Sequence, residues 1–515
     1  MKWIPVSLLF GIICFSLAGY RSFDDKSPAN GLPGDRLPVD RRPGESENYE
    51  LDSTALKLET VASNLNAVWD MAWGPDNWIW FTDQDGKVSR LNPETGQIVD
   101  ILQIKDYYRK RLGLASIVLH PDWKQFPHVF INYSHIQKDS VIVSKLVRYT
   151  YNGKTLVEPK LLHQIPGYLG HNGSRLVVSK DRKILWATGD LKQKETIQNP
   201  AFANGKVLRL NLDGSVPKDN PYPGSATWSM GFRVPQGLTY TSNGNLFIAE
   251  HGDATDDEVN LVLKKKSYGW PRIAGFRDQP EEQKLGADSA ISPVKAWTPT
   301  IAPAGMTYFK GNIPEWNNAV LLTTLKDQSL RVLHLDENQE KVIGEEIVFS
   351  KKYGRLRDVC VSPSGDIYIS TSNRDWNPPA DFPIKTDDRI IRISRAGIIP
   401  KSARTVKKTA ETETGDAATL YTSFCESCHK ADGQGVPGSF PSLVTSKRVT
   451  GDKAELLHFI MKGSLAPTGE AMPAFSFLTD AQLAGIGSYI RQRFGKSSSY
   501  ITETEVANVR ETITN

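Results

Sequence analysis

One unit, a short apolar strand followed by a polar turn and a second apolar strand, occurs six times along most of this chain. It first appears as Asp70-Met71-Ala72-Trp73, turning at Pro75-Asp76-Asn77 into Trp78-Ile79-Trp80-Phe81. It returns as Ser116-Ile117-Val118-Leu119 with Val129-Phe130-Ile131, and as Arg175-Leu176-Val177-Val178 with Ile184-Leu185-Trp186-Ala187. Gly237 to Tyr240 with Leu246 to Ala249, Gly305 to Tyr308 with Val320 to Thr323, and Asp358 to Val361 with Ile367 to Ser370 complete the set. Such a unit cannot bury both faces of its sheet alone, so repetition at roughly 45–70 residues predicts blades stacked in a ring. The expected fold of residues 54–398 is an all-β six-bladed β-propeller. A pair of β-sandwiches is the competing architecture, and the regular repetition argues against it.

A chain of 515 residues exceeds one ordinary core, so at least one further domain is expected. Hydrophobic content of 39% and charged content of 23% are those of a globular protein, and a dispersed net charge of +4 argues against nucleic acid. Residues 1–18 read as an export signal: Lys2, an apolar run from Ile4 to Leu17, and a Ser16-Leu17-Ala18 cleavage site. That run is short for a stable membrane span, although an uncut anchor stays open. Residues 19–53 are rich in Pro, Asp, Arg and Ser without periodicity, which predicts a flexible lead-in. The expected location is periplasmic or secreted. Of four cysteines, Cys14 lies in the signal and Cys360 in an apolar strand, where a small core residue is expected.

The other two belong to Cys425-Glu426-Ser427-Cys428-His429, which resembles the c-type haem attachment motif. Cysteines at this spacing at the start of a helix share one face and reach both vinyl groups of a porphyrin, and the adjacent histidine falls under the iron. With no second cysteine pair, zinc and dithiol chemistry are poor alternatives. Residues 399–415 are charged and Thr-rich, a linker. The segment 416–496 is helical in pattern, with Leu456, Leu457, Ile460 and Met461 as one stripe and Leu483, Ile486 and Ile490 as another. A small all-α cytochrome c domain is expected there, followed by a loose polar tail at 497–515.

A haem moves single electrons and makes no product, so the propeller is the place to look for their source. In a blade, residues before the first strand and after the second meet at one mouth of the channel. Arg111, His171, Arg233, Arg355 and Arg357 come before first strands, and Asp190, His251, Gly252, Asp253 and Lys326 after second strands. One mouth thus gathers a histidine, carboxylates and fixed cations, a set suited to binding a flat polyanion and taking a proton beside it. Any one of them alone is more often a solvated loop residue.

Several longer runs then resemble the soluble PQQ-dependent glucose dehydrogenases and their aldose and sorbosone dehydrogenase relatives. They are Gly205-Lys-Val-Leu-Arg-Leu-Asn-Leu-Asp-Gly214, His171-Asn-Gly-Ser-Arg-Leu176, Arg233-Val-Pro-Gln-Gly237, Asp256-Asp-Glu-Val-Asn-Leu261 and Tyr268-Gly-Trp-Pro271. The resemblance implies that His171 is the base taking the proton from the sugar C1 hydroxyl as hydride passes to PQQ, that Asp190 holds this histidine, and that Arg233 lies beside the quinone carbonyls. It implies cofactor binding by Arg111, Arg233, Lys326, Arg355 and Arg357. It further implies a Ca²⁺ with PQQ at the Gly252 and Asp253 carbonyls, and a structural Ca²⁺ at Glu258, Tyr268, Ala274 and Asp278. Arg111 and Val234 replace a Gln and an Asn of the glucose enzymes, Asp253 a Pro and His251 a Gln, changes that bear on which sugar is taken. Trp297 is expected as a buried blade aromatic rather than a sugar platform. The haem segment resembles class I cytochromes c, which implies Cys425 and Cys428 thioethers with His429 and Met472 as iron ligands; Met461 competes but belongs to the apolar stripe.

Together these expectations describe an exported quinoprotein dehydrogenase with PQQ, haem c and Ca²⁺. A sugar would be oxidised and its electrons passed through the protein's own haem to a downstream cytochrome or other periplasmic acceptor. A carbohydrate-binding propeller that docks a cytochrome, or a Ca²⁺-dependent lactonase, is the alternative, the latter having no use for a haem.

Overall fold

A computed structural model describes residues 46–105, 114–137, 140–277, 279–286, 289–399, 417–435, 440–463, 472, 474–476, 478–496 and 499–514. Arg111, Asp278, the export segment and linker residues 400–415 lie outside them.

Six antiparallel sheets surround one axis. Their innermost strands are Val68–Trp73, Leu114–Leu119, Arg175–Val178, Val234–Tyr240, Pro303–Phe309 and Leu356–Val361, and each packs on the next, the last on the first. All six expected hairpins are the inner two strands of a blade. Second strands such as Ile79–Asp83, Ala319–Thr324 and Ile367–Thr371 are buried at every position because a neighbouring blade covers each face. Apolar clusters fill the spaces between consecutive blades; one joins Trp80 and Val88 to Ile117 and Val129, another joins Cys360 and Tyr368 to Val68 and Met71. Trp297 is a blade aromatic, its indole donating to Glu345.

The ring closes through its beginning. Thr54–Ala62 pairs with Ile390–Ile398 as the outer strand of the sixth blade, so its removal would leave that sheet with a long exposed edge. Ser46–Glu50 then pairs with Thr54–Ala62. This corrects the flexible reading of 19–53 for its last residues: alternating partial burial along Ser46–Glu50 marks an edge strand that its polar composition concealed.

Near the axis, Arg175 pairs with two buried carboxylates. Its Nη1 binds Asp70 and, at 3.0 Å, Asp358, while its Nε donates to the Gln236 carbonyl at 2.9 Å. Asp70 also accepts from the Ser116 hydroxyl and from Ile117 N at 2.9 Å, and Asp358 accepts from Met71 N at 2.6 Å. Gly305 completes the circle: a Cβ there would lie 1.9 Å from the Asp358 carboxylate, so only glycine allows the approach. Every blade thus contributes to one buried network. Burial, and then the charge of Asp70, hold Asp358 well above the usual carboxylate range despite Arg175.

The second body is helical: Ala417–Phe424, Glu426–His429, Lys447–Thr450, Lys453–Lys462, Asp480–Arg493 and Glu503–Thr514. Asp452 and Thr479 cap Lys453–Lys462 and Asp480–Arg493, Thr479 reciprocally with Gln482. The last helix corrects the expectation of a loose tail at 497–515. Ile501, Val506 and Val509 are buried in the core with Leu457, Leu483 and Ile486, and Arg510 holds the Ser476 and Leu478 carbonyls. In 497–515 the apolar residues Tyr500, Ile501, Val506, Ala507, Val509 and Ile513 stand among thirteen polar ones, a composition that reads as loose. Among the described residues no helix is long and apolar enough to cross a membrane.

Candidate active site and haem site

Backbone interlocking places the three expected catalytic residues together. Gly189 N donates to the Asn172 carbonyl at 2.7 Å, Leu191 N to His171 O at 3.2 Å, and Asp190 N to Arg233 O at 2.7 Å. A Cβ at Gly189 would lie 2.0 Å from the His171 carbonyl, so the missing side chain lets the two loops touch. His171 itself has φ 55°, left-handed backbone that is uncommon for a side-chain-bearing residue.

The imidazole meets Asp190 at 2.9 Å, Nδ1 to Oδ1. Lys192 N donates to the same oxygen at 2.9 Å and the Trp270 indole to Oδ2 at 2.8 Å. Burial alone would raise the Asp190 pKa, but His171, the Lys192 amide and Arg233 outweigh it and hold the carboxyl below its ordinary range. An ionised carboxylate only accepts, so His171 Nδ1 carries the proton and Nε2 is left with a basic lone pair.

Arg233 lies over the Trp270 ring at 5.4 Å and reaches Asp253 at 2.8 Å and the His251 carbonyl at 3.3 Å. Its main-chain N–H donates to Glu250 at 2.5 Å. His251 is half-buried, donates to the Pro303 carbonyl at 2.8 Å, and is pushed down to about 3 by loss of solvent and by the charges of Arg233, Arg357 and Arg355. Arg355 and Arg357 both bind Asp375, and Arg357 also lies 4.1 Å from the Trp69 ring centroid. Burial first, with Arg355 and Arg175, pulls Arg357 down to about 10 against Asp375. Lys326 donates to Thr300 at 2.9 Å, and burial lowers its pKa. Asp257 positions this side of the mouth by accepting from Gly252 N at 2.8 Å and from Ile301 N and Ala302 N at 2.6 Å each.

The mouth fits an anionic, planar ligand: the Nε atoms of Arg233 and Arg355 are buried and have no partner among the described residues. The Asp253 side chain is committed to Arg233, so any ion there would take main-chain oxygens. Glu258 accepts from Gly275 N at 2.5 Å and from Asn260 at 3.0 Å, which brings it beside Ala274, while the Tyr268 hydroxyl is bonded to Leu261 O at 2.5 Å. Glu258 faces Glu250 across two strands, and both are buried. Burial raises both carboxyls, Glu258 to about 7. Such a like-charged pair favours a cation or a proton. Among the described residues no three His, Cys, Asp or Glu side chains cluster as a metal site, so Ca²⁺ at Glu258 would need carbonyl donors as well.

Trp270, Asp375, Glu250 and Asp257 escaped the sequence reading. Trp270 and Asp257 lie within the Tyr268-Gly-Trp-Pro271 and Asp256-to-Leu261 runs, which were their signal; Asp375 and Glu250 had no such mark.

In the helical body, Cys425, Cys428, His429 and Met472 line one cavity of ≈ 220 Å³, walled by Phe424, Leu456, Ile460, Phe475, Ile486 and Ile490 among others. His429 N donates to Cys425 O at 2.9 Å, so thiols and imidazole share one turn. His429 Nδ1 binds the Pro441 carbonyl at 2.9 Å, which leaves Nε2 for a metal. Burial lowers the His429 pKa and favours the neutral, ligating ring. Burial pushes the Cys425 thiol up to about 12, with Lys326 opposing. Met461 is buried in the core and does not line the cavity. The residues present fit a covalently attached haem: two thiols, a free imidazole nitrogen, a thioether and apolar walls.

Comparison with known proteins agrees with both halves. A family described as Glucose / Sorbosone dehydrogenase matches residues 65–377, and one described as Cytochrome C oxidase, cbb3-type, subunit III matches 412–490. Quinoprotein glucose dehydrogenase B of Acinetobacter calcoaceticus is 30% identical over 418 residues, covering 64% of this chain and 86% of that protein. The PQQ-bound aldose sugar dehydrogenase of Streptomyces coelicolor superposes with a TM-score of 0.59 at 26% identity, covering 66% of this chain and 98% of that one. The fructose dehydrogenase cytochrome subunit of Gluconobacter japonicus is 36% identical over 111 residues, 19% of this chain and 23% of that protein.

Proposed function

The chain belongs to the glucose/sorbosone dehydrogenase family and carries a cbb3-type cytochrome c domain, and from this premise we propose that it oxidises the C1 hydroxyl of an aldose or related sugar and passes the electrons to its own haem. The observation that carries the reading is the His171–Asp190 pair beside Arg233, on a mouth whose Lys326 lies near Cys425 and Cys428.

PQQ, when bound, supplies a two-electron acceptor at the mouth. His171 Nε2 takes the hydroxyl proton, and Asp190 stabilises the imidazolium that results. Arg233 meets the negative charge that develops on the acceptor side. Lys326 and Arg355 hold anionic groups of the ligand. Arg357 acts chiefly by fixing Asp375, since its guanidinium is already paired and stacked. The sugar loses one C–H and one O–H bond, giving a lactone from an aldose, with two protons and two electrons released. The haem that Cys425, Cys428, His429 and Met472 would hold would supply a one-electron acceptor, so an outside one-electron carrier, a downstream cytochrome or similar, would complete each turnover. An exported, periplasmic or secreted location suits such a carrier and the chemistry of haem attachment. The decisive experiment loads the haem-containing protein with PQQ and Ca²⁺, adds a panel of aldoses and follows the reduced haem band. Reduction by at least one sugar is expected; none by any aldose or other sugar alcohol rejects the reading.

For the structural ion, Ca²⁺ at about 100 times its Kd should add about 2.7 kcal/mol of stability. Thermal unfolding with and without chelator measures this. Glu258→Gln should abolish the shift, and a shift that survives the substitution removes Glu258 from the ligand set.

A further inference from the structure

Between the propeller mouth and the haem cavity lies a short segment that touches both. Asp375 holds Arg355 and Arg357 with one carboxylate oxygen and accepts from Trp376 N at 2.7 Å with the other. The Trp376 ring packs on Phe440, centroids 5.8 Å apart, and Phe440 lines the haem cavity. The next two residues are gripped from the haem side: Lys430 Nζ donates to the Asn377 side chain and, at 3.0 Å, to the Pro378 carbonyl.

Lys430 directly follows the expected iron ligand His429 and is itself fixed by the haem-binding turn. Its N–H donates to Glu426 O at 2.8 Å and its carbonyl accepts from the Tyr421 hydroxyl at 2.7 Å. Its φ of 67° is a left-handed conformation more usual for glycine. A lysine is strained there. Its side chain is nevertheless held by the two bonds to the sixth blade, which give it a docking role.

We propose that the segment 376–378 is the docking surface for the haem domain of the same chain, and that Trp376 and Lys430 position the haem cavity against the mouth for electron transfer. This rests on the sugar-dehydrogenase reading for its consequence, not for the docking itself. Each sugar delivers two electrons, which cross this contact one after the other; two ferric irons' worth of oxidant is consumed per sugar, the haem being re-oxidised once in between by an external one-electron acceptor. Neither residue touches the reacting atoms. They act by holding distance, to which electron transfer and orientation-dependent steps are both sensitive.

Two measurements on the full haem-loaded chain test the proposal. In stopped flow with PQQ and an aldose, Trp376→Ala and Lys430→Ala should each slow haem reduction by about tenfold or more, consistent with a misplacement on the order of 1 Å. Sugar-driven reduction of a small phenazine mediator should stay at the parental rate, as should the haem spectrum and midpoint potential, which a damaged haem pocket would change. In the second, Asn377→Asp places a carboxylate where Lys430 Nζ donates, and a carbodiimide should join the two as a zero-length amide located by peptide mapping, while haem reduction stays rapid. Haem reduction at the parental rate in both single variants, or no 377–430 crosslink in Asn377→Asp, overturns the proposal. If no aldose reduces the mediator in the parent protein, the proposed activity has failed, and the crosslink alone still decides the docking.

Discussion

Replacing His171 by alanine is expected to lower sugar-driven haem reduction by about 10²–10⁴-fold, the usual contribution of a positioned general base. The expectation follows from three donors on Asp190. With Trp270, Lys192 N and His171 Nδ1 all directed at it, the carboxylate stays ionised and keeps the imidazole in the tautomer with Nε2 free. Asp190→Asn should then also lower turnover, because an amide can donate to Nδ1 and favour the wrong tautomer. PQQ binding, measured by titration of the apoprotein, should survive both changes, since the cations of the mouth are untouched. Full turnover in His171→Ala would remove the base assignment and leave family and fold intact.

The largest effect on stability is expected at the axis. Arg175→Leu should destabilise the propeller by about 3–5 kcal/mol, the cost of leaving buried charge without its partner. Asp70 and Asp358 would face each other with no cation between them, and Gln236 would lose a donor. Burial first, and then the charge of Asp70, raise the Asp358 carboxyl even with Arg175 present, so two carboxylates share one positive charge at the axis. Adding Asp70→Asn and Asp358→Asn to Arg175→Leu should therefore recover much of the loss. Urea unfolding followed by tryptophan fluorescence measures each step. A loss under about 1 kcal/mol, the range of an exposed ion pair, would show that water reaches the network.

The blade hairpins were legible because each is a local matter. Turn residues such as Pro75-Asp76-Asn77 and continuous apolar runs such as Ile79 to Phe81 need no distant information. The Cys425-to-His429 run was equally plain, since a single helical turn brings its functional atoms together. Less visible was the Glu503–Thr514 helix, whose Val506 and Val509 are an apolar face only in relation to a core assembled elsewhere. The Ser46–Glu50 strand was hidden for the same reason: its regularity is supplied by pairing with Thr54–Ala62.

By itself, then, the amino-acid order determined which segments are strands, which residues stand at blade ends, and where a porphyrin would be attached, because these depend on neighbours within a few positions. The tertiary structure alone decided that Thr54–Ala62 closes the ring on Ile390–Ile398, that Asp375 claims two of the mouth's arginines, that Trp270 supports Asp190, and that Lys430 grasps the sixth blade. Charges and strand edges find partners through space, and a buried group must take whichever partner the packed chain brings within hydrogen-bonding distance.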